Sequence, residues 1–148
     1  MATPQFGERT LDAAYPDRPA AFGIAMRDGR IALVTVEKPG HTPWLDLPGG
    51  AIDPGESETQ ALVREFGEET GLRVRAGNFI TRADQFFIRT DGAPFNNRGA
   101  MFEVLIDGVD AGPKIEADHT LMWLLPDEAR RGLRHDAHAW AVAAWMRR

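Results

Sequence analysis

Cysteine is absent from the 148 residues, which removes disulfide staples, thiolate metal sites and cysteine nucleophiles together. A basic excess is missing too: 17 Lys and Arg stand against 22 Asp and Glu, a formal net charge of −5. The surface therefore offers no general cationic footprint for nucleic acid. An anionic ligand would need local bases or a metal to overcome that balance. No apolar run approaches the roughly 20 residues of a membrane span. The opening MATPQFGERTLDAAYPDRPA has no basic segment followed by an apolar one, so it does not read as a secretory signal. No internal repeat, low-complexity tract or linker divides the chain. The expectation is one compact domain over residues 1–148, cytoplasmic, with neither nucleic acid nor a membrane as partner.

What is present is an ordinary globular balance, 43% hydrophobic and 26% charged, with 15 glycines and 10 prolines. Residues 1–19 are polar and proline-bearing, and read as a loosely held lead-in. Apolar runs at 22–27 and 30–36 flank Asp28-Gly29, a strong hairpin signal because a tight primed turn needs positive φ. Residues 38–43 (KPGHTP) read as a loop and 44–47 as a short extended piece, after which Pro48-Gly49-Gly50 should break regular structure. A helix should begin after Asp53-Pro54-Gly55, with Ser57 as N-cap, Gln60 completing a capping box and Gly71 as C-cap. Residues 72–89 read as extended, 91–97 as a loop, and 100–106 as a strand with Phe102, Val104 and Ile106 on one face. A loop over 107–118, a strand over 120–125, a short helix at 126–131 and a C-terminal helix at 135–148 complete the chain. Strands interleaved with helices make this an α/β protein, a mixed sheet with helices on its faces.

The chemistry concentrates in residues 50–72, GAIDPGESETQALVREFGEETGL. On a helix, Glu68 and Glu69 fall on either side of Glu65, so three carboxylates share one stripe while Leu62, Val63 and Phe66 occupy an arc that can face the sheet. Like charges at that spacing repel, and the arrangement makes sense if a hard divalent cation sits among them. An ExxEE alone would be a solvated acidic face. Here Arg64 precedes the triplet, Glu56 lies ahead of the helix, and glycines before both let backbone groups approach an ion or phosphate closely.

This segment resembles the signature of the Nudix hydrolases, with Gly50, Glu56, Arg64, Glu65, Phe66, Glu68, Glu69, Gly71 and Leu72 at its specified positions. Phe66 stands where an aliphatic residue is commoner, and Gly67 inside the helix costs about 1 kcal/mol relative to alanine. LDLPGG before the box, and Trp123 followed by Pro126-Asp127-Glu128 after it, extend the likeness more weakly. The resemblance implies an α/β/α sandwich and Mg²⁺- or Mn²⁺-dependent hydrolysis of a nucleoside diphosphate linked to another group. By that analogy Glu65, Glu68, Glu69 and the Gly49 carbonyl hold metal, and Glu68 deprotonates or orients the attacking water. Arg64 and Glu56 belong to the catalytic set, with the Arg64 fork orienting Glu56 and the triplet.

Arg82, Arg89 and Arg98 follow the box, and Arg98, behind Asn96-Asn97, is the strongest phosphate-binding candidate with Arg89 second. Glu116 and Asp118 read as surface acids, Trp44 either as a base-stacking ring or as core, and His135 and His138 as surface histidines. Trp140, Ala144 and Trp145 read as the packing face of the last helix, extended into a possible homodimer contact. An isomerase on the same fold is disfavoured because that chemistry is associated with a cysteine. A non-catalytic nucleotide sensor remains the alternative to an enzyme, although such domains commonly lose box carboxylates. Neither the Pro or Tyr some sixteen residues beyond the box that suggests ADP-ribose or dinucleoside polyphosphates, nor a coenzyme A signature, is visible. A (d)NTP or a nucleotide sugar stays open as substrate.

Overall fold

The computed structural model describes residues 2–108, 114 and 116–148, so half of the loop expected over 107–118, residues 109–113 and 115, lies outside the described residues. The elements are β1 (Gln5–Phe6), β2 (Asp17–Arg27), β3 (Arg30–Val36), β4 (Trp44–Asp46), β5 (Gly49–Ala51), α1 (Glu58–Thr70), β6 (Arg73–Ile88), β7 (Pro94–Gly108), β8 (His119–Leu124), α2 (Pro126–Gly132) and α3 (Asp136–Met146). Strand β2 runs parallel to β7 and antiparallel to β5, β7 pairs antiparallel with β6, and β1 lies parallel on β6. At its far end β2 turns through Asp28 (φ 53°) and Gly29 (φ 77°) into β3, which pairs antiparallel with β4 and β8. The turn is the primed hairpin expected from the Asp-Gly pair.

Alternation along the strands divides the interior into two cores. Ala20, Phe22 and Ile24 of β2, with Ala83 and Met101, pack against Ala129, Leu133, Ala137, Ala141 and Val142 from the α2–α3 side. Ala21 and Ala25, with Ala100, Phe102 and Val104, pack against Leu62 and Phe66 of α1 on the opposite face. The result is a mixed sheet covered by helices on both faces.

Four local expectations are corrected. The lead-in is pinned: the Pro4 and Pro16 carbonyls accept from Asp84 N–H and Asn96 N–H, both at 2.9 Å, and Gln5 exchanges side-chain bonds with Asn96. Gly49–Ala51 is a strand, because Gly49 (φ 142°) lies so close to β2 that a Cβ would stand 2.2 Å from the Ala21 carbonyl oxygen. Strand β7 already begins at Pro94, shortening the 91–97 loop. The buried face of α3 is Ala137, His138, Ala141 and Val142; Trp145 packs partly against that core, whereas Trp140 is exposed beside Phe6.

Helix α1 carries its expected caps. Ser57 accepts from Gln60 N–H at 3.1 Å, the Gln60 side chain accepts from Ser57 N–H at 2.8 Å, and Gly71 closes the helix in the left-handed region. Leu62 and Phe66 are fully buried, but Val63 faces outward into a shallow groove beside Val74 and Ala76. Phe66→Ala should therefore destabilise the fold by about 3–5 kcal/mol and Val63→Ala by less than about 1 kcal/mol, measured by urea unfolding.

Candidate active site

Arg64 organises the carboxylates around α1. Its Nε and Nη2 donate to Glu56 at 2.7 and 2.9 Å, Nη2 also to the Ala51 carbonyl at 3.0 Å, and Nη1 to Glu65 at 3.1 Å and Glu68 at 3.2 Å. This bonding holds Glu56 down to about 2, and Asp53 N–H supports the same carboxylate at 2.8 Å. Glu65 moves the other way. Burial, then the neighbouring charge of Glu69, push it up to about 7 against the pull of Arg64. Glu65 packs so tightly under β5 that a Cβ on Gly50 would stand 2.9 Å from its carboxyl carbon.

Glu69 is nearly buried and bridges two parts of the fold. Its Oε1 accepts from Gly49 N–H at 2.9 Å, and its Oε2 lies 3.2 Å from His119 Nε2. Burial raises the Glu69 pKa, with His119 and the Gly49 N–H opposing. His119 Nδ1 in turn lies 2.7 Å from Asp118, which also accepts from Lys38. Burial works against a charged imidazole, yet the bonds and charges of Glu69 and Asp118 outweigh it and raise His119 to about 9. Ligand-type atoms of Glu116, Asp118 and His119 lie within 4.8 Å of one another, and Glu116 N–H donates to the Glu68 carbonyl at 3.0 Å.

Beside Gly49 and Glu69 opens a cleft of about 240 Å³. One wall comes from the sheet: Arg18, Asn97, Phe87 and Arg89. The other carries Lys38, Trp44, Asp46, His119 and Arg134, and the floor holds Phe22, His135 and His138. Asp46 Oδ2 accepts from Trp44 Nε1 at 3.0 Å and from Arg134 at 2.9 Å, while its buried Oδ1 has no partner among the described residues. Arg134 also covers the Trp44 ring at 4.3 Å. His138 Nδ1 accepts from Leu47 N–H at 3.2 Å, which places its proton on Nε2. Burial, with Arg134 nearby, brings His135 down to about 3; burial, His135 and Arg134 hold His138 well below the ordinary histidine value.

The NUDIX domain profile matches residues 17–146. The chain belongs to the NUDIX family. Among curated proteins it is 47% identical over 54 residues to a putative 8-oxo-dGTP diphosphatase of Bacillus subtilis, covering 36% of this chain and 35% of that protein. It is 38% identical over 60 residues to the CTP pyrophosphohydrolase of Escherichia coli (38% and 43% covered) and 36% identical over 74 residues to an RNA pyrophosphohydrolase of Sphingopyxis alaskensis (49% and 46%). These matches span between a third and a half of the relatives' lengths. Over the whole fold, a NUDIX hydrolase from Nitrosomonas europaea superposes with a TM-score of 0.75 at 21% identity, covering 89% of each chain.

Within this NUDIX fold the residues singled out from sequence separate into two groups. Glu56, Arg64, Glu65 and Glu68 are joined by direct bonds, and Gly49 and Glu69, which line the cleft, by another. Arg89 lines the cleft; Arg98 does not. Arg98 lies on the α1 face of β7, with Nε 2.7 Å from Asp84 and Nη1 3.0 Å from Asp17, and both carboxylates occupy it. Arg82 pairs with Glu58, also outside the cleft. His135 and His138 are buried, not surface groups, and Asp118 sits one residue from the Glu69 partner instead of in open solvent. Trp44 is a cleft residue. Sequence reasoning missed Arg18, Asp46, His119 and Arg134. For Arg18 the signal was alternation: it shares the parity of the core residues Ala20 and Phe22, whereas Arg98 shares that of Ala100 and Phe102.

The two neutral histidines tie stability to pH. Unfolded, each titrates near its ordinary value of about 6.5; folded, His135 protonates only near 3 and His138 also far below the ordinary range. Below about pH 6.5 the unfolded chain therefore binds protons that the folded chain refuses, and stability falls as pH falls, by up to about 1.4 kcal/mol per pH unit for each histidine. Glu65, raised to about 7, acts in the opposite sense over the same range, because there the folded chain takes up a proton that the unfolded chain does not. The histidine contribution is therefore read as a difference between variants: from pH 7 to 5 the wild-type urea midpoint should fall relative to that of His138→Asn, which keeps an acceptor for Leu47 N–H but cannot charge, and a constant difference would remove His138 from the account.

Proposed function

We propose that the chain is a divalent-metal-dependent pyrophosphohydrolase that cleaves a phosphoanhydride bond in a nucleoside diphosphate linked to another group, such as a (d)NTP or a nucleotide sugar. The observation that carries this reading is the bonded set of Glu56, Arg64, Glu65 and Glu68, packed through Glu65 against Gly50 and followed on the same helix by Glu69, two residues that line a cleft with cationic and aromatic walls. Hydrolysis of a phosphoanhydride needs charge neutralised on phosphate oxygens and a water aimed in line at phosphorus. The curated relatives support the class, since their names place phosphoanhydride cleavage on nucleotides and on RNA.

The side chains present fit a hard divalent ion. They offer oxygen donors only, and Glu65 is held near neutrality by burial and by Glu69, a cost that a cation would relieve. Glu65, Glu68, Glu69 and the Gly49 carbonyl would hold Mg²⁺ or Mn²⁺. Such an ion supplies Lewis-acid stabilisation of phosphate charge. The chain's own groups do the rest. Arg64 fixes Glu56, Glu65 and Glu68 relative to one another, Glu68 orients or deprotonates the water, and Trp44 with the cationic walls holds the nucleotide. Retention of every box carboxylate favours this over a binding-only sensor.

Release of phosphate or pyrophosphate from a nucleotide panel, including nucleotide sugars and a triphosphorylated oligoribonucleotide, tests the reading with Mg²⁺ and Mn²⁺. Activity should vanish in excess chelator, and Glu68→Gln should lower kcat by about 10²-fold or more while preserving the fold. Glu58→Gln, at the first residue of α1 and paired only with Arg82 among the described residues, should change turnover less than about two-fold. Equal damage from both variants would show general helix electrostatics in place of a site. Separately, millimolar Mg²⁺ or Mn²⁺ should raise Tm in wild type, and the rise should shrink in Glu65→Gln, because the unfolded chain lacks the site.

A further inference from the structure

The cations of the cleft are not equivalent. Lys38 is paired with Asp118, Arg89 with Asp91 at 2.5 Å and Arg134 with Asp46 at 2.9 Å. Arg18 has no carboxylate partner among the described residues. Its one hydrogen bond runs from Nη1 to the neutral Asn97 Oδ1 at 3.1 Å, and its guanidinium lies 5.8 Å from the centre of the Phe87 ring. Phe87 stacks on Phe95, with ring centres 6.0 Å apart and planes at 29°, and Arg89 covers Phe95 at 4.9 Å. Arg18, Phe87, Phe95 and Arg89 thus form a stacked row, of which Arg18, Phe87 and Arg89 line the cleft.

Two physical facts make Arg18 the member of that row that waits for an anion. It is half-buried, so its guanidinium has surrendered water without receiving a counter-charge, which is costly unless an anion completes it. Burial also works against its charge, with Glu65 the main opposing influence and Arg89 adding repulsion. Arg18 therefore feels Glu65 of the carboxylate helix at a distance and a second guanidinium nearby, and a chain of phosphates lying along the wall would supply the counter-charge that Arg18 lacks. The Phe87 face and Asn97 hold its plane, so the fork is set in advance and little freedom is lost on binding. Strand pairing fixes the position: Arg18 stands opposite Asn97 in the parallel β2–β7 register, on the cleft face of the sheet.

The geometry points to Arg18 as the residue that grips the phosphate oxygens of a nucleotide in this cleft, the task the sequence suggested for Arg98. The nucleotide in that statement rests on the hydrolase reading above; the anion site does not. Two measurements separate them. In steady-state kinetics with Mg²⁺, Arg18→Gln should raise KM for the preferred nucleotide about ten-fold or more with kcat changed less than about three-fold, and Arg18→Lys should recover only part of the loss because it has no fork. In chelator, calorimetric titration of wild type with inorganic tripolyphosphate should give binding that Arg18→Gln weakens by a similar factor. Glu68→Gln should leave that binding intact, and so should Arg27→Gln, whose guanidinium lies over Trp123 outside the cleft.

Circular-dichroism melting establishes that each variant is folded. A folded Arg18→Gln that binds tripolyphosphate as wild type does, and keeps its KM, overturns the assignment. So does an equal loss of affinity for the uncharged nucleoside, which would make Arg18 a base contact. Wild type that binds tripolyphosphate through Arg18 yet hydrolyses no member of the nucleotide panel would remove the catalytic reading and leave the anion site standing.

Discussion

Three acidic side chains on one turn-and-a-half of helix repel one another, and Arg64 opposes that repulsion at Glu65 and Glu68. One guanidinium reaches Glu56 with two nitrogens, Glu65 and Glu68 with a third, and the Ala51 carbonyl besides. The planar fork fixes angles as well as distances, which a lysine at this place would not do. It also ties the loop before α1 to the middle of the helix, so that Glu56, eight residues earlier in the chain, is part of the same rigid unit. The left-over charge is then set by geometry: Glu56 is fully relieved, whereas Glu65 is buried beside Glu69 and is not.

The second constraint is the close approach of β5 to β2. Gly49 has room only for a hydrogen, and its N–H is the group that meets Glu69. Through Glu69 the helix reaches His119 on β8, and through His119 it reaches Asp118 and Lys38. The two sheet portions, joined in sequence by the hairpin at Asp28-Gly29 and again between β4 and β5, are thus also joined by a polar relay beside the cleft. Glu116 N–H on the Glu68 carbonyl reinforces that link from the backbone.

Local chemistry was legible in the sequence; tertiary placement was legible only where a pattern encoded it. The capping box, the Gly71 cap and the Asp-Gly turn depend on neighbours within a few residues, and all three appear as read. The carboxylate helix was legible because 3.6-residue periodicity places its members together wherever the helix sits. His135 and His138 were misread because burial depends on Phe22, Phe87 and Leu47, which are distant in sequence. His119 was missed for the same reason: nothing near it in the chain announces Glu69. The lead-in was misread because its hydrogen-bond partners, Asp84 and Asn96, lie some 80 residues away. The contrast of Arg18 with Arg98 has the same root: β2 begins at Asp17 and β7 at Pro94, earlier than the apolar runs at 22–27 and 100–106 announce, so the alternation that sets the two arginines on opposite faces extends past the apolar runs that signal it.

Net charge gives the last link. A chain of −5 that takes a polyanion must arrange its charges unevenly, and here the unevenness follows the two faces of one sheet. Acids gather on the α1 side, where Arg64 satisfies part of their charge and Glu65 remains in surplus. Cations gather on the α2–α3 side, where Lys38, Arg89 and Arg134 are neutralised by acids of the protein and Arg18 alone among them is not. Surplus negative charge invites a cation, and the unmatched guanidinium invites an anion, across a distance spanned by Gly49 and Gly50. A ligand that brings both at once, an anionic phosphate chain with its divalent counter-ion, would satisfy both faces. That complementarity explains why the sheet carries its two half-sites on opposite faces and why glycine occupies the edge between them.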